Sequence, residues 1–432
     1  MRISSMKLKV VGAITISLAL SLSACSGNNA SSDDGPTHII FSYLWGGKEG
    51  EVLQGIIDQY NASQDEIFVE GVSSPDVQKQ LTQMSSAKAS FDISDNFSAN
   101  TASLAAKGAL TPLDGFIARD GYVTSDFVPA AFEQGVYNGQ TYAIPIMTMT
   151  DMVFYNKALF AEAGISDPPV TFEDWAEIIP KLTKTDAGGN LTQLGFGIVD
   201  SSKALTNLAN AFGGGFNGVN SGGPQPDTPQ NRAALDFYWN NVIEPNGVDN
   251  VMTFYSGFGE LFSPEWPFYT GQLATYIDSP NQVVNILDLA PGLDYGVTNL
   301  PYPAAQPELA EAAIVRASTM FIPANTEKKE EAWEFMKYLL SPDIMAQFSR
   351  GITNLPARTS LIDSPVYNDL PDTYRQFLQT LSNTNAVPSA TPVPWQSEWV
   401  ADRQTVFDNA KSGLSTPAEA ITKLASDASR YG

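Results

Sequence analysis

The sequence predicts an α/β protein of two layered domains, and three observations carry that prediction. From about His38 onward, short apolar runs alternate with amphipathic helical stretches, the strand–helix–strand order of parallel α/β layers. The 432 residues are 43% hydrophobic, which is enough for two cores rather than one. Cys25 is the only cysteine, so no disulfide within the chain stands in for core burial.

Taken in order, Ile39-Ile40-Phe41 reads as a buried strand. Leu53, Ile56, Ile57 and Tyr60 then recur at three- and four-residue spacing, the apolar stripe of a helix. The next strand runs over 67–72. Ser74-Pro75 has the form of a helix start, an N-cap followed by proline at the first helical position, with Val77, Leu81 and Met84 as its stripe. Phe91 to Ser94 returns as a strand. The second half repeats this grammar. Thr171 with Asp174 opens a helix that turns Trp175, Ile178, Ile179 and Leu182 inward. Thr228-Pro229 opens another, with Leu235, Tyr238, Trp239 and Val242 on one face. A helix over 325–340 carries Ala332, Trp333, Phe335, Met336 and Leu339; Ser341-Pro342 starts the next, and Gly351 ends it. The last helix has the capping box Thr416-Pro417-Ala418-Glu419. Tryptophans 175, 239 and 333 lie on helical stripes and are expected in the core. Gly213, Gly215 and Gly218 satisfy G-x-G-x-x-G, but a helical segment precedes them where a dinucleotide fold needs a strand. That stretch is expected to be a loop.

The N-terminus reads as a leader. Arg2, Lys7 and Lys9 precede a 13-residue apolar stretch, Val10 to Leu22, too short to span a bilayer and sized for a secretory segment. Leu22-Ser23-Ala24-Cys25 follows and resembles a bacterial lipobox, in which the cysteine is acylated and the chain is cut before it. The expectation is a signal peptide over 1–24 and a lipid (palmitate-type) anchor on Cys25. A flexible polar tether would run to residue 37 (SGNNASSDDGPT from Ser26). Loss of residues 1–24 removes three cations and no acids, taking the formal charge from −23 to −26. Such a chain is not expected to bind nucleic acid or an anionic membrane surface through bulk charge.

Three segments carry a family resemblance. The run YAIPIMTMTDMVFYNKALFAEAGISDPPVTFEDWAEIIPKLTK begins at Tyr142 and contains Tyr155-Asn156-Lys157 and Pro169-Val170-Thr171-Phe172-Glu173-Asp174-Trp175. FIPANTEKKEEAWEFMKYLLSPDIMAQFSRGITNLPARTS spans Phe321 to Ser360. Phe268-Tyr269-Thr270-Gly271-Gln272-Leu273-Ala274 is the third. Together they resemble the extracellular solute-binding proteins of ABC importers, in particular the large sugar-binding family that includes maltose-binding proteins. The resemblance implies a two-lobed periplasmic-binding-protein fold, with a hinge of crossing strands and a ligand cleft between the lobes. Carried onto this chain, lobe one is 38–147 plus 314–363 and lobe two is 148–313 plus 364–432. It also implies a lipid-anchored, monomeric sugar receptor on the extracytoplasmic face of the membrane, whose partners are a carbohydrate and the permease subunits.

Sugars present hydroxyls around an apolar ring face, so aromatics, carboxylates and amides are the candidate ligand-binding groups. Trp45 follows the first strand, in Tyr43-Leu44-Trp45-Gly46-Gly47. Asp95 and Asn96 end another strand, at the carboxyl edge where open α/β sheets bind ligands. Met147 and Thr148 fall where the family's first crossing strand meets ligand, Asp151 follows it, and Ser318 lies on the return into lobe one. Asp278-Ser279-Pro280-Asn281 stands where many relatives carry a stacking tryptophan. Asn281 replaces it here, which makes the proline-flanked Trp266 and Trp395 the candidate platforms.

Enzymatic chemistry fares poorly on inventory. With one cysteine and one histidine, His38, a catalytic triad, a Cys–His nucleophile or a zinc site lacks its residues. No phosphate loop or EF-hand motif appears, so no cofactor or metal is expected. A secreted glycoside hydrolase, which needs only two carboxylates, stays open beside a receptor for a peptide or polyamine.

Overall fold

The computed structural model describes residues 35–84, 90–216, 219–220, 223–260 and 263–431. The leader, Cys25, most of the tether and Gly218 lie outside the described residues.

The elements that frame the site are, in chain order, β1 (Thr37–Tyr43), α1 (Gly47–Ser63), β2 (Ile67–Ser73), α2 (Val77–Met84), β3 (Ile93–Phe97), β4 (Ala143–Met149), β5 (Met152–Asn156), α3 (Phe172–Leu182), α4 (Ser201–Ala211), β6 (Thr275–Asp278), β7 (Tyr295–Thr298), β8 (Ala313–Phe321), α5 (Lys329–Leu339), α6 (Pro342–Ile352), β9 (Leu355–Pro356), α7 (Asp372–Thr380), β10 (Ala386–Pro388), α8 (Gln396–Ser412) and α9 (Pro417–Ala428). Among the described residues they build two main sheets. The larger runs β9-β4-β8-β3-β1-β2, with β10 against the start of β8. The smaller runs β6-β5-β7.

The parallel expectation holds only in part. β1 pairs in parallel with β2 and β3, but β8 runs antiparallel to both β3 and β4, and the smaller sheet is antiparallel throughout. The cause is topological. β4 passes through only Thr150 and Asp151 into β5 of the other sheet, where β5 lies between β6 and β7 and runs opposite to each. β8 then carries the chain back into the larger sheet, entering between β3 and β4 in the direction opposite to both.

The periodic helices form with their stripes inward: Leu53, Ile56, Ile57 and Tyr60 of α1 are buried, as are Trp175, Ile178, Ile179 and Leu182 of α3. Both capping boxes close, Thr171 with Asp174 and Thr416 with Glu419. Trp175 and Trp333 are fully buried, their indole N–H groups donating to Thr275 Oγ1 and Asp120 Oδ2, while Trp239 is half-buried on a π-helical turn.

Some ends differ from expectation. α2 starts at Val77 because Asp76, and not Ser74, accepts the bond from the Lys79 backbone N–H. α5 begins at Lys329, four residues later than the stripe suggested. α6 runs past Gly351 to Ile352 and stops at Thr353, which adopts φ 55°. Gly351 serves packing instead: a Cβ there would lie 2.6 Å from Val52 Cγ1 of α1. The glycine-rich stretch at Gly213 and Gly215 is a turn after α4, as its context predicts.

Candidate ligand-binding cleft

A cleft lies between the large sheet on one side and helices α4 and α8 on the other. On the large-sheet side the end of β3 and its turn supply Phe97, Ser98 and Ala99, and the crossing strands supply Met149, Ile314, Arg316 and Ala317. Facing them, α4 supplies Lys203, Thr206 and Asn207, and α8 supplies Val400, Arg403 and Gln404. This central chamber holds about 350 Å³. A second recess of about 370 Å³ adjoins it through Asp200, Lys203 and Gln404 and is floored by Trp266, Asp278 and Asn281. A third, about 490 Å³, adjoins at Thr206 and Ile314 and runs along Gly213 to Phe216.

The local sequence explains why these side chains meet. Asp200 caps α4 by accepting from the Lys203 backbone N–H at 2.9 Å, which fixes the helix so that Lys203 and Asn207, four residues apart, share one face. Arg316 is the one charge in the apolar strand Ala313–Phe321. Strand alternation sends it to the cleft while Val315 stays buried. Phe97 lies 52% exposed at the mouth of this chamber.

The charges are matched in pairs. Arg316 grips both oxygens of Asp151, through Nη2 at 2.8 Å to Oδ1 and through Nη1 to Oδ2. Asn207 Nδ2 donates to the same Oδ2 at 2.7 Å. Burial by itself would raise the Asp151 carboxyl, but the Arg316 charge holds it below its ordinary value. Lys203 is ion-paired with Asp278; burial works against its charge, yet Asp278 and then Asp151 outweigh that and raise its pKa. Arg403 is 4% exposed, and burial lowers its pKa to about 10.

The expected site residues divide into four groups. Asp278, Asn281 and Trp266 gather around the second recess. Asp151 lies behind Arg316 with its side chain wholly buried, and Asp278 is likewise engaged by Lys203 and by Ser279. Asp95, Asn96, Met147, Thr148 and Ser318 sit within the large sheet. Asp95 accepts from the Leu44 backbone N–H at 2.8 Å. Asn96 bonds Gln80 of α2 and the Phe97 N–H. Thr148 donates to the Pro356 carbonyl, Met147 is buried, and Ser318 pairs with Phe97 and Met147. Trp45 packs edge-on against Phe348, ring centroids 5.0 Å apart, inside the lobe core, and Trp395 packs against Tyr431 at 5.5 Å. The structure brings neither ring to the cleft walls just described.

Sequence reading missed Phe97, Lys203, Asn207, Arg316 and Arg403. Arg316 had a legible signal, a lone charge inside an apolar run. Lys203 and Asn207 had a weaker one, polar residues at four-residue spacing, which puts them on one helical face.

A model of the family described as bacterial extracellular solute-binding protein matches residues 46–346, more than half of the chain. The protein belongs to this family. Membership makes it a binding protein rather than an enzyme and places it outside the cytoplasm. The maltotriose-binding protein of Pyrococcus abyssi (strain GE5 / Orsay) is 22% identical over 378 residues, covering 87% of this chain and 78% of that one. The sn-glycerol-3-phosphate-binding periplasmic protein UgpB of Yersinia pestis is 24% identical, covering 75% of each. Among solved structures, CpMnBP1 with mannobiose bound matches with a TM-score of 0.76 at 23% identity, over 91% of this chain and 99% of that one. The solute-binding protein thus has the two-lobed fold of that relative, with its cleft between the lobes.

Proposed function

We propose that this solute-binding protein captures a sugar or short oligosaccharide between its lobes and passes it to the permease of an ABC importer, while held to the membrane by a lipid on Cys25. The observation that carries the sugar reading is the half-exposed Phe97 ring, at the mouth of a chamber walled by Lys203, Asn207, Arg316 and Gln404. An apolar platform beside convergent hydrogen-bonding groups suits a ring with one apolar face and a rim of hydroxyls. The maltotriose and mannobiose binders among the relatives support the same class.

Closure follows from the placement of the walls. α4 and α8 on one side and β3 and β8 on the other touch a single ligand only when the lobes are together. The ligand therefore stabilises the closed form by its differential affinity for it. The proposed division is lobe one over 38–147 and 314–363, with the remainder in lobe two, acting as a monomer.

The test is titration of the protein with mono- and oligosaccharides, followed by heat and tryptophan fluorescence, with each mixture assayed for products. The expected outcome is saturable binding of one glycan class without turnover. Silence across the panel, or product formation, refutes the reading. Separately, Cys25→Ser is expected to move the protein from the membrane to the soluble fraction; retention on the membrane refutes the anchor.

A further inference from the structure

Asp151 sits where the two crossing strands meet. It forms the link between β4 and β5 with Thr150, and Arg316 of β8 lies opposite, one strand over, paired with Met149. One carboxylate thus holds an arginine from the large-sheet side and Asn207 of α4 from the other. Asp151 itself has no exposed side-chain surface, whereas Arg316 keeps 28% of its side chain open to the chamber. A guanidinium has five N–H donors. Asp151 takes one from each terminal nitrogen, and among the described residues it is the only acceptor on this arginine. The others are available to whatever fills the cleft.

The charge count is equally specific. Lys203, Arg316 and Arg403 line the chamber; Asp151 answers Arg316, Asp278 answers Lys203, and the exposed Asp200 stands at the rim. Two buried carboxylates thus neutralise Arg316 and Lys203 within the wall itself. Removal of either partner of a buried pair leaves a charge that a ligand of opposite sign would satisfy.

We propose that Asp151 is the positioning residue that fixes Arg316 and Asn207 against the ligand and, by neutralising Arg316, restricts the cleft to uncharged, acceptor-rich ligands. This rests on the sugar-receptor reading and deepens it: Asp151 selects against uronates and sugar phosphates without touching the ligand. Selection against a charged competitor needs such an element, since hydroxyl contacts alone are shared by neutral and acidic sugars.

The experiment uses the purified full chain and matched ligand pairs, each neutral oligosaccharide bound by the protein and its C6-oxidised uronate. Calorimetry measures the affinity ratio of acidic to neutral ligand. The native protein is expected to prefer the neutral member by about tenfold or more. Asp151→Asn leaves one unanswered positive charge. It should weaken neutral binding and move the ratio by about tenfold toward the acid. Arg316→Gln should lower neutral affinity and move the ratio the other way, or leave it unmoved if the carboxyl of Asp151 takes up a proton. The double variant Asp151→Asn/Arg316→Gln restores neutrality and should keep the native ratio at reduced affinity. Should Asp151→Asn fail to fold, the native ratio and the double variant still decide. A native preference for the uronate or for sn-glycerol 3-phosphate overturns the inference while leaving a receptor in place. An unmoved ratio in folded Asp151→Asn, or a double variant that turns to the acid, also overturns it. Absence of all sugar binding by the native chain refutes the receptor reading instead.

Discussion

Asp95 is 2% exposed in the middle of β3, and burial pushes its carboxyl up to about 7, against the pull of the Leu44 N–H bond. Its folded pKa is therefore above the unfolded one, near 3.9. Above about pH 4 the folded state binds more protons than the unfolded state, so stability falls as pH rises toward 7 and levels off beyond it. A difference of about three units sets the scale at a few kcal/mol, ~4 at most. Asp95→Asn keeps an oxygen for Leu44 and removes the titration. Urea midpoints at pH 5 and pH 8 should show the native chain losing stability across that interval and the variant staying nearly level; parallel curves would exclude Asp95 as the source. At this scale the sequence was a partial guide. Asp95 and Asn96 stood out as polar residues at a strand end and Thr148 by its family position, but a strand offers two faces, and whether a side chain meets ligand or its own sheet depends on partners distant in sequence, Leu44, Gln80 and Pro356 among them. Asp151 shows the same limit: its family position marked it, and only the return of β8 reveals that Arg316 screens it from the cleft.

Elements were far more legible, because helical stripes and caps are local. α1, α3, α6 and α9 form where spacing and N-caps placed them, and the errors lie at ends decided by tertiary contact. α6 is the clearest example. Gly351 has the residue type of a terminator, yet its missing side chain lets α6 approach Val52 of α1, and the stop falls to Thr353 at φ 55°. A β-branched residue is strained in the left-handed region, where glycine is not. Thr353→Gly is expected to raise stability by about 0.5–1 kcal/mol, read as a higher urea midpoint with an unchanged slope. A lower midpoint would show that the buried threonine contributes more by packing than it costs by strain. Strand direction was the other shortfall. An apolar run looks the same in parallel and antiparallel sheets, so the all-antiparallel β6-β5-β7 sheet had no signature of its own.

For the whole molecule, two lobes were legible from length and from the alternation of elements, and the cleft from the family resemblance. The assignment of segments to sheets was not, because the chain passes between them more than once. β8 crosses back after β7, α7 returns to pack Phe377 on Phe154 of the small sheet, and β10 then pairs with β8 again before α8 lies along α4. Each passage is a few residues long and without pattern. Helix α8 touches both sides of the cleft, reaching the turn after β3 as well as α4.

The place of β8 in the large sheet has a consequence for biogenesis. It lies between β3 and β4, so the strands made first cannot be joined into one sheet until residue 321 has been synthesised. The second core waits longer, because α8 and α9 complete it near the C-terminus. Contacts of such long sequence separation form slowly, and a nascent chain lacking them stays open along most of its length. A fragment ending at residue 310 is expected to be digested as fast as an unfolded polypeptide, whereas the full chain resists; a protease-resistant core in the fragment would show that the first lobe assembles without its central strand.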